Sequence, residues 1–291
     1  MRNEIILGSA NFNQIYGIKK NFIGKSKIKK LFSFALENKI RKIDTAASYN
    51  LSEKIIGSFN NNKFKIISKI PKKPKNITRR NLNKWIKKNV MNSLNNLKVK
   101  KLECLLLHDS KSLLSKDGVE IYKSLYDMKK KKFTKKIGIS IYDFNKLDKI
   151  LKKFRFDLIQ APLNIFDQRL INSGWLKKLK NMKIEVHARS IFLQGVLLLK
   201  HNQLPKKLKK FSKYWKLWET WLKKNKLSPI HACLLFVARQ DKLDGIIVGC
   251  DSKAHLTEIL KFKKMKIKNN FLTFKMKIKN KELIDPRKWS Y

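Results

Sequence analysis

The amino-acid sequence predicts an α/β protein of a single domain, a closed (β/α)8 barrel of the TIM type. Three observations predict it. Short β-branched or leucine-rich runs recur eight times, each followed by a longer stretch whose apolar residues have helical spacing. A parallel sheet with crossover helices requires that alternation. Eight such units fit within about 250 residues, the typical size of the closed barrel. The open doubly wound alternative needs a Gly-rich first turn of the G-x-G-x-x-G kind, and Gly8 and Gly17 are too far apart to form one.

Taken in order, Ile5-Ile6-Leu7 opens the sheet, and a helix is expected over residues 26–38. The second strand covers 42–45 and its helix 52–59; the third strand covers 64–70 and its helix 78–97. Leu105-Leu106-Leu107 lies in a fourth strand over 102–108, followed by a helix over 119–132. The fifth and sixth strands, 136–141 and 157–162, are separated by a helix over 144–154. A helix over 173–180 leads into the seventh strand, 184–190. A helical region over 205–239, in two pieces, precedes the short strand 245–248, and a last helix covers 252–262. The barrel therefore spans about 5–262 of a single domain covering 1–291, with a tail over 263–291. Within that tail, 269–278 alternates apolar residues with lysine and fits an extended or a loose segment. No internal repeat is visible beyond the βα alternation itself.

The chain carries 69 basic and 21 acidic side chains in 291 residues, a formal net charge of +48. With 43% hydrophobic residues it is too apolar for intrinsic disorder. Nine of the basic residues are arginine and the rest lysine, and asparagine, isoleucine and phenylalanine are plentiful too. Codons rich in A and T encode lysine and those three, so base composition alone raises the charge. The lysines are spread along the whole chain, whereas a dedicated nucleic-acid binder gathers charge on one face and favours the bidentate arginine. Specific nucleic-acid binding is therefore not expected. A field of this size still draws in anionic ligands and makes weak polyanion association salt-dependent. Cys104, Cys233 and Cys250 are an odd set without metal-ligand spacing, so neither a disulfide framework nor a metal site is expected. No basic-then-apolar leader precedes Ile5, and no apolar run approaches the ~18 residues of a membrane span. The expected compartment is the cytoplasm, and the oligomeric state stays open.

In a (β/α)8 barrel, chemistry lies at the carboxyl ends of the strands. Three consecutive strands end on ionisable residues. The second runs through Ile43 into Asp44 and on to Tyr49, the third delivers Lys69, and the fourth ends on His108. Singly, each has an ordinary reading: Asp44 as a loop cap, Tyr49 as cover for an apolar edge, Lys69 as one lysine among many, His108 as a core histidine. Together they form a coherent acid–base set at one mouth of the barrel. A tyrosine hydroxyl has an ordinary pKa near 10, so proton transfer in both directions near neutrality asks for roughly 4 kcal/mol of differential stabilisation of the phenolate. Lys69 could supply that charge, Asp44 could hold Lys69, and His108 could hydrogen-bond the phenol or a substrate oxygen. The set reads as machinery for protonating a carbonyl oxygen while hydride arrives at its carbon.

Several motifs also carry a family resemblance: Leu7-Gly8-Ser9-Ala10, then Ile43-Asp44-Thr45-Ala46 with Tyr49 and Ser52-Glu53-Lys54-Ile55-Ile56-Gly57. Lys69, Leu106-Leu107-His108, Lys136-Ile137-Gly138-Ile139-Ser140, and Gln160 with Asn164 extend it. From about Gly8 to Leu260 the chain resembles the aldo-keto reductases, NAD(P)H-dependent (β/α)8 enzymes, and in particular a bacterial branch of them. The resemblance implies Tyr49 as general acid, Lys69 and Asp44 as its electrostatic tuners, and His108 as substrate orienter. It implies that Ser140 and Gln160 hold the nicotinamide carboxamide. It also implies that the segments carrying Ser190, Phe192 and Gln194, and Gly249, Ser252 and Glu258, bind the cofactor pyrophosphate and adenosine ribose.

Departures from the family pattern mark where cofactor grip differs. Asn50 stands where Gly usually follows the tyrosine, and asparagine keeps such a turn through its tolerance of positive φ. Ile141 replaces an asparagine after Ser140, and Leu163 stands where an aromatic ring commonly stacks on nicotinamide, leaving Phe192 as a substitute platform. Gly249 and His255 fall where many members carry Lys and Arg for the 2′-phosphate, and Ile259 where an asparagine touches adenine. The cofactor is therefore NADPH or NADH, with the preference open.

Trp215, Trp218 and Trp221 recur every third position and are expected as a buried helix face rather than a substrate platform. His187 and His231 lack partners at metal-ligand spacing, so core or helix-end roles are expected. The closing Leu283-Ile284-Asp285-Pro286-Arg287-Lys288-Trp289 resembles the tail of the same bacterial branch. The expected function is reduction of a small-molecule aldehyde or ketone, its substrate polar and sugar-like. The alternatives are a non-catalytic basic barrel that binds nucleic acid or other polyanions, and a cofactor-binding pseudoenzyme.

Overall fold

Eight parallel strands close into one barrel in the order of the sequence. The computed structural model describes residues 3–12, 23–60, 62–265, 278 and 280–289. The strands are β1 (Glu4–Gly8), β2 (Lys42–Asp44), β3 (Lys65–Ile70), β4 (Leu102–Leu107), β5 (Thr134–Ser140), β6 (Leu158–Pro162), β7 (Glu185–Arg189) and β8 (Gly245–Gly249). Each pairs with its sequence neighbour, and β1 pairs with β8 to close the ring. All eight expected strands form, with ends displaced by one or two residues.

Helices surround the barrel because each carries one apolar stripe that must leave water. In α1 (Lys25–Glu37) that stripe is Ile28, Leu31, Phe32 and Ala35. In α3 (Leu82–Leu97), which follows α2 (Ser52–Phe59), it includes Leu82, Ile86, Val90, Leu94 and Leu97. The ring continues through α4 (Gly118–Lys130) and α5 (Leu147–Lys153). The helix expected at 173–180 forms as α7 (Trp175–Asn181), and a further short helix, α6 (Arg169–Asn172), precedes it, the two separated by a break at Gly174, φ 76. Beyond β7, residues 206–211 form a 3-10 turn before α8 (Ser212–Lys224) and the almost wholly buried α9 (Pro229–Ala238). After β8 come α10 (Lys253–Lys261) and, in the tail, α11 (Lys281–Ile284). The alternating stretch at 269–278 lies outside the described residues except for the buried Ile278.

The barrel interior is packed, not hollow. Ile6, Ile67, Cys104, Leu106, Leu158 and Ile247 fill its centre. Below them an ionic network closes the amino-terminal end: Lys42 meets Glu4 at 2.6 Å, and Glu185 joins Lys136 and His187. Burial alone would raise the Glu185 carboxyl, yet hydrogen bonds from His187 and Lys136 outweigh it and bring its pKa down to about 2. His187 is thus a core histidine, and His231 stands near the start of α9 with its ring 3.1 Å from Glu258. One glycine fixes the strand spacing above this floor. A Cβ on Gly138 would lie 2.1 Å from the Leu158 carbonyl oxygen, so only Gly lets β5 approach β6 closely enough to set Ser140 beside Gln160.

Two of the three tryptophans expected on the buried face of α8 are fully buried, and Trp221 is half-buried. Trp215 and Trp218 are sealed from solvent, and their indole N–H groups donate to Val196 O at 3.3 Å and Leu197 O at 3.1 Å. They brace the segment after β7 from beneath. No helix among the described residues is long and apolar enough to cross a membrane. No cluster of three His, Cys, Asp or Glu side chains among them could hold a metal ion.

Candidate active site

The carboxyl ends of β2, β3 and β4 bring Asp44, Lys69 and His108 to one mouth, and Tyr49 reaches the same place from the loop before α2. Parallel pairing sets Asp44 opposite Ile67 and Lys69 opposite Leu106, while His108 follows directly on β4 with its N–H on Ile70 O. The Tyr49 loop is tight: Tyr49 N donates to Ala46 O at 3.0 Å, Ser52 N donates to Tyr49 O at 2.8 Å, and Asn50 takes φ 40. Asparagine fills the position that a Gly would occupy, as the sequence suggests.

Lys69 is 2% exposed. Its ammonium donates to Asp44 Oδ1 at 2.6 Å and to Thr45 O at 2.7 Å. Gln160 Nε2 donates to the second oxygen of Asp44. The ammonium also lies 5.2 Å from the centroid of the Tyr49 ring. His108 stands edge-on to that ring, with centroids 6.1 Å apart, and its Nδ1 is 3.4 Å from Ser48 Oγ.

The electrostatics follow from burial first. Removing Tyr49 from water pushes its phenol above the ordinary range, and the Asp44 carboxylate adds to the rise, while Arg189 pulls it back. Burial lowers Lys69, with Asp44 opposing. Burial, then the charges of Lys69 and Arg189, lower His108 to about 4, so its ring is neutral at neutral pH.

A cavity of about 600 Å³ runs from this set along the ends of β7 and β8 towards α9 and α10. That size lies within the usual range for cofactor pockets. Of the residues expected to hold a cofactor, Ser140, Ser190, Phe192, Gln194, Gly249 and Glu258 line it. Two others face elsewhere. Ser252 caps α10, its hydroxyl accepting from His255 N at 3.1 Å. Gln160 is fully buried behind Asp44, and its Oε1 has no partner among the described residues. Leu163 and Ile259 are buried in the core, and His255 lines the far end of the cavity, 3.1 Å from Asp251.

The segment after β7 is held in an uncommon conformation. Ser190, Leu193, Gln194 and Gly195 take φ of 58, 48, 55 and 90. Non-glycine residues seldom adopt such angles, and they persist only where the surrounding structure holds them. Asn164 Nδ2 donates to Ser190 O at 3.0 Å, and the tryptophans of α8 hold the other end.

Sequence reasoning passed over the lining residue Tyr142, and it named Arg189 only as part of the pyrophosphate-like segment 188–195, with no role of its own. Arg189 Nη2 donates to Ile141 O at 2.6 Å and Arg189 Nε to Ser140 Oγ at 3.3 Å, and its guanidinium stacks 3.7 Å from the centroid of Tyr142. The available signal is position: Arg189 ends β7 and is one of only nine arginines.

The model of the aldo/keto reductase family matches residues 4–273, almost the whole chain. The chain belongs to that family. Among solved structures, aldo-keto reductase AKR11C1 from Bacillus halodurans, in its holo form, is 17% identical with a TM-score of 0.75. The match covers 98% of this chain and 95% of that one. Glycerol dehydrogenase AKR11B4 from Gluconobacter oxydans is 19% identical with a TM-score of 0.70, covering 92% and 88% of the two chains. At such identities these structures speak for the shared barrel. A search of curated proteins returns no match. Membership in the aldo/keto reductase family carries the coarse assignment of an oxidoreductase acting on carbonyl compounds.

Proposed function

We propose that this aldo/keto reductase reduces an aldehyde or ketone to an alcohol with NADPH or NADH, and that Tyr49 is the general acid. The observation that carries the reading is the meeting of Tyr49, Lys69, Asp44 and His108 at one end of a cavity large enough for a dinucleotide. The residues present fit such a cofactor. Ser140 lies at the end beside Tyr49, Ser190 and Gln194 belong to a left-handed segment, and Gly249 leaves open space where a side chain would intrude. Bound NAD(P)H would supply the hydride.

The chain's own residues handle the proton. Burial keeps the Tyr49 phenol protonated at neutral pH, which is the form a reduction needs. An alkoxide is a far stronger base than a phenolate, so transfer from Tyr49 to the reduced oxygen runs downhill. Lys69 and Arg189 then face the phenolate left behind. His108, neutral over the working range, offers an N–H to the carbonyl oxygen without competing as an acid. A Ser48 hydroxyl donating to Nδ1 leaves that proton on Nε2.

A panel of aldehydes and ketones, followed by loss of NADPH or NADH absorbance, tests the reading. Turnover of at least one carbonyl with saturation in the cofactor is expected. Cofactor binding with no turnover of any carbonyl would make the chain a pseudoenzyme. Tight duplex binding at physiological salt with no cofactor binding would favour a polyanion-binding barrel.

A further inference from the structure

The described part of the C-terminal segment packs back over the barrel. Leu283, Ile284 and Trp289 are buried, and Trp289 Nε1 donates to Glu282 O at 2.7 Å. This anchoring carries Arg287 to the wall of a second, smaller cleft that also touches His108, Ser140 and Tyr142. Those three residues line the large cavity too. The two spaces therefore share the wall at which a carbonyl would be reduced.

The cations on that wall are incompletely matched. Arg287 gives Nε and Nη2 to Asp285 at 2.8 and 2.5 Å, and its Nη1 takes no partner among the described residues. Its guanidinium lies 3.7 Å from the Tyr142 ring centroid, and so does that of Arg189. Two planar cations at that distance must occupy opposite faces of the ring. Arg189 bonds to Ser140, Ser190 and Ile141, with no carboxylate within ion-pair reach among the described residues. Lys111 and Lys146 stand exposed at the rim. Of the lining acids, Asp109 accepts from Lys111 N at 3.3 Å and Asp143 from Asn145 N at 3.1 Å, and Asp143 acts on Arg287 through its charge without an ion pair among the described residues. Arg169, behind Tyr142, is already paired bidentately with Asp167. An anion entering the cleft relieves the repulsion between the stacked guanidinium groups.

We propose that the carbonyl substrate carries an anionic group, a carboxylate or a phosphate, and that Arg287 holds it in this cleft. The free space is about 40 Å³, room for about three non-hydrogen atoms. That suits a carboxylate or the outer oxygens of a phosphate and excludes a sugar ring. The proposal rests on the carbonyl-reducing reading of the neighbouring site, and it turns the C-terminal segment into part of the substrate site.

Matched substrate pairs test it: glyceraldehyde against glyceraldehyde 3-phosphate, and butyraldehyde against succinic semialdehyde. Each is assayed with the wild-type chain, R287Q and K288Q, the last removing an exposed charge one residue on. The charged member of at least one pair should have the lower KM. R287Q should raise that KM about 10- to 100-fold, the worth of one charge-assisted hydrogen-bonded pair, while leaving the KM of the neutral partner and of the cofactor nearly unchanged at a temperature where the variant is folded. K288Q should behave as wild type. The pair that responds tells phosphate from carboxylate. Calorimetric titration of glycerol 3-phosphate and of succinate, neither of which can be reduced, separates this proposal from the one it rests on. Binding of either that is lost in R287Q supports the anion site even if no aldehyde turns over, in which case the reduction reading alone fails. Equal KM within both pairs, equal loss in R287Q and K288Q, or no binding of either anion to the wild-type chain would overturn it.

Discussion

Lys69 Nζ lies 2.6 Å from Asp44 Oδ1, and both side chains are nearly sealed from solvent, at 1% and 7% exposure. The second Asp44 oxygen accepts from Gln160, and Lys69 spends a further hydrogen bond on Thr45 O. The pair is therefore satisfied on both sides and behaves as a fixed dipole under the Tyr49 ring.

Breaking that dipole on one side leaves an uncompensated buried charge. Lys69→Met should destabilise the fold by about 3–5 kcal/mol, and Asp44→Asn should do nearly the same. The double variant should recover much of the loss, because neither charge then remains alone. Urea unfolding of the two single variants and the double variant gives the coupling energy directly. Strictly additive losses would mean that the two side chains do not act as a pair.

His108 makes stability depend on acid. In the unfolded chain it binds a proton near its ordinary pKa of 6.5, whereas in the fold it does so only near 4. Between those values the unfolded state holds more protons, so stability rises with pH across the window and falls as pH drops from 6.5 to 4. The full effect is about 3 kcal/mol. His108→Gln should flatten that part of a plot of urea midpoint against pH. An unchanged slope in the variant would show that His108 is not the buried group responsible.

Gly138 should tolerate no side chain. With the Leu158 carbonyl oxygen 2.1 Å from where a Cβ would stand, Gly138→Ala must push β5 off β6 and move Ser140 with it. A loss of about 1–3 kcal/mol, the ordinary cost of overpacking, is expected. Weaker cofactor binding should accompany it. Thermal melts and cofactor titration check the two parts. A variant with wild-type melting and wild-type binding would show that the strand spacing is soft.

The barrel and the candidate set at its mouth are legible in the sequence because both are written locally. Eight apolar runs give the strands, and an ionisable residue at each of three consecutive strand ends gives Asp44, Lys69 and His108. What the sequence hides is long-range. Gln160 lies 116 positions from the Asp44 carboxylate it bonds, so nothing in its neighbourhood predicts that its amide turns away from the cavity. Ser252 reads as a cofactor ligand by resemblance but spends its hydroxyl on the α10 cap. Lys69 looks like the charge that acidifies Tyr49, yet burial, with the Asp44 carboxylate adding to it, holds the phenol high. The place of Tyr142 between Arg189 and Arg287 depends on a tail that returns to the barrel mouth, a path that no spacing rule encodes.

In the proposed reduction the Tyr49 hydroxyl delivers the proton. Tyr49→Phe keeps the ring between Lys69 and His108 and removes only that oxygen. Turnover of the best carbonyl substrate should fall by about 10²–10⁴-fold, while NADPH and NADH titrated against the variant should bind within about twofold of wild type. Turnover at the wild-type rate in Tyr49→Phe, with the cofactor bound, would exclude Tyr49 as the proton donor.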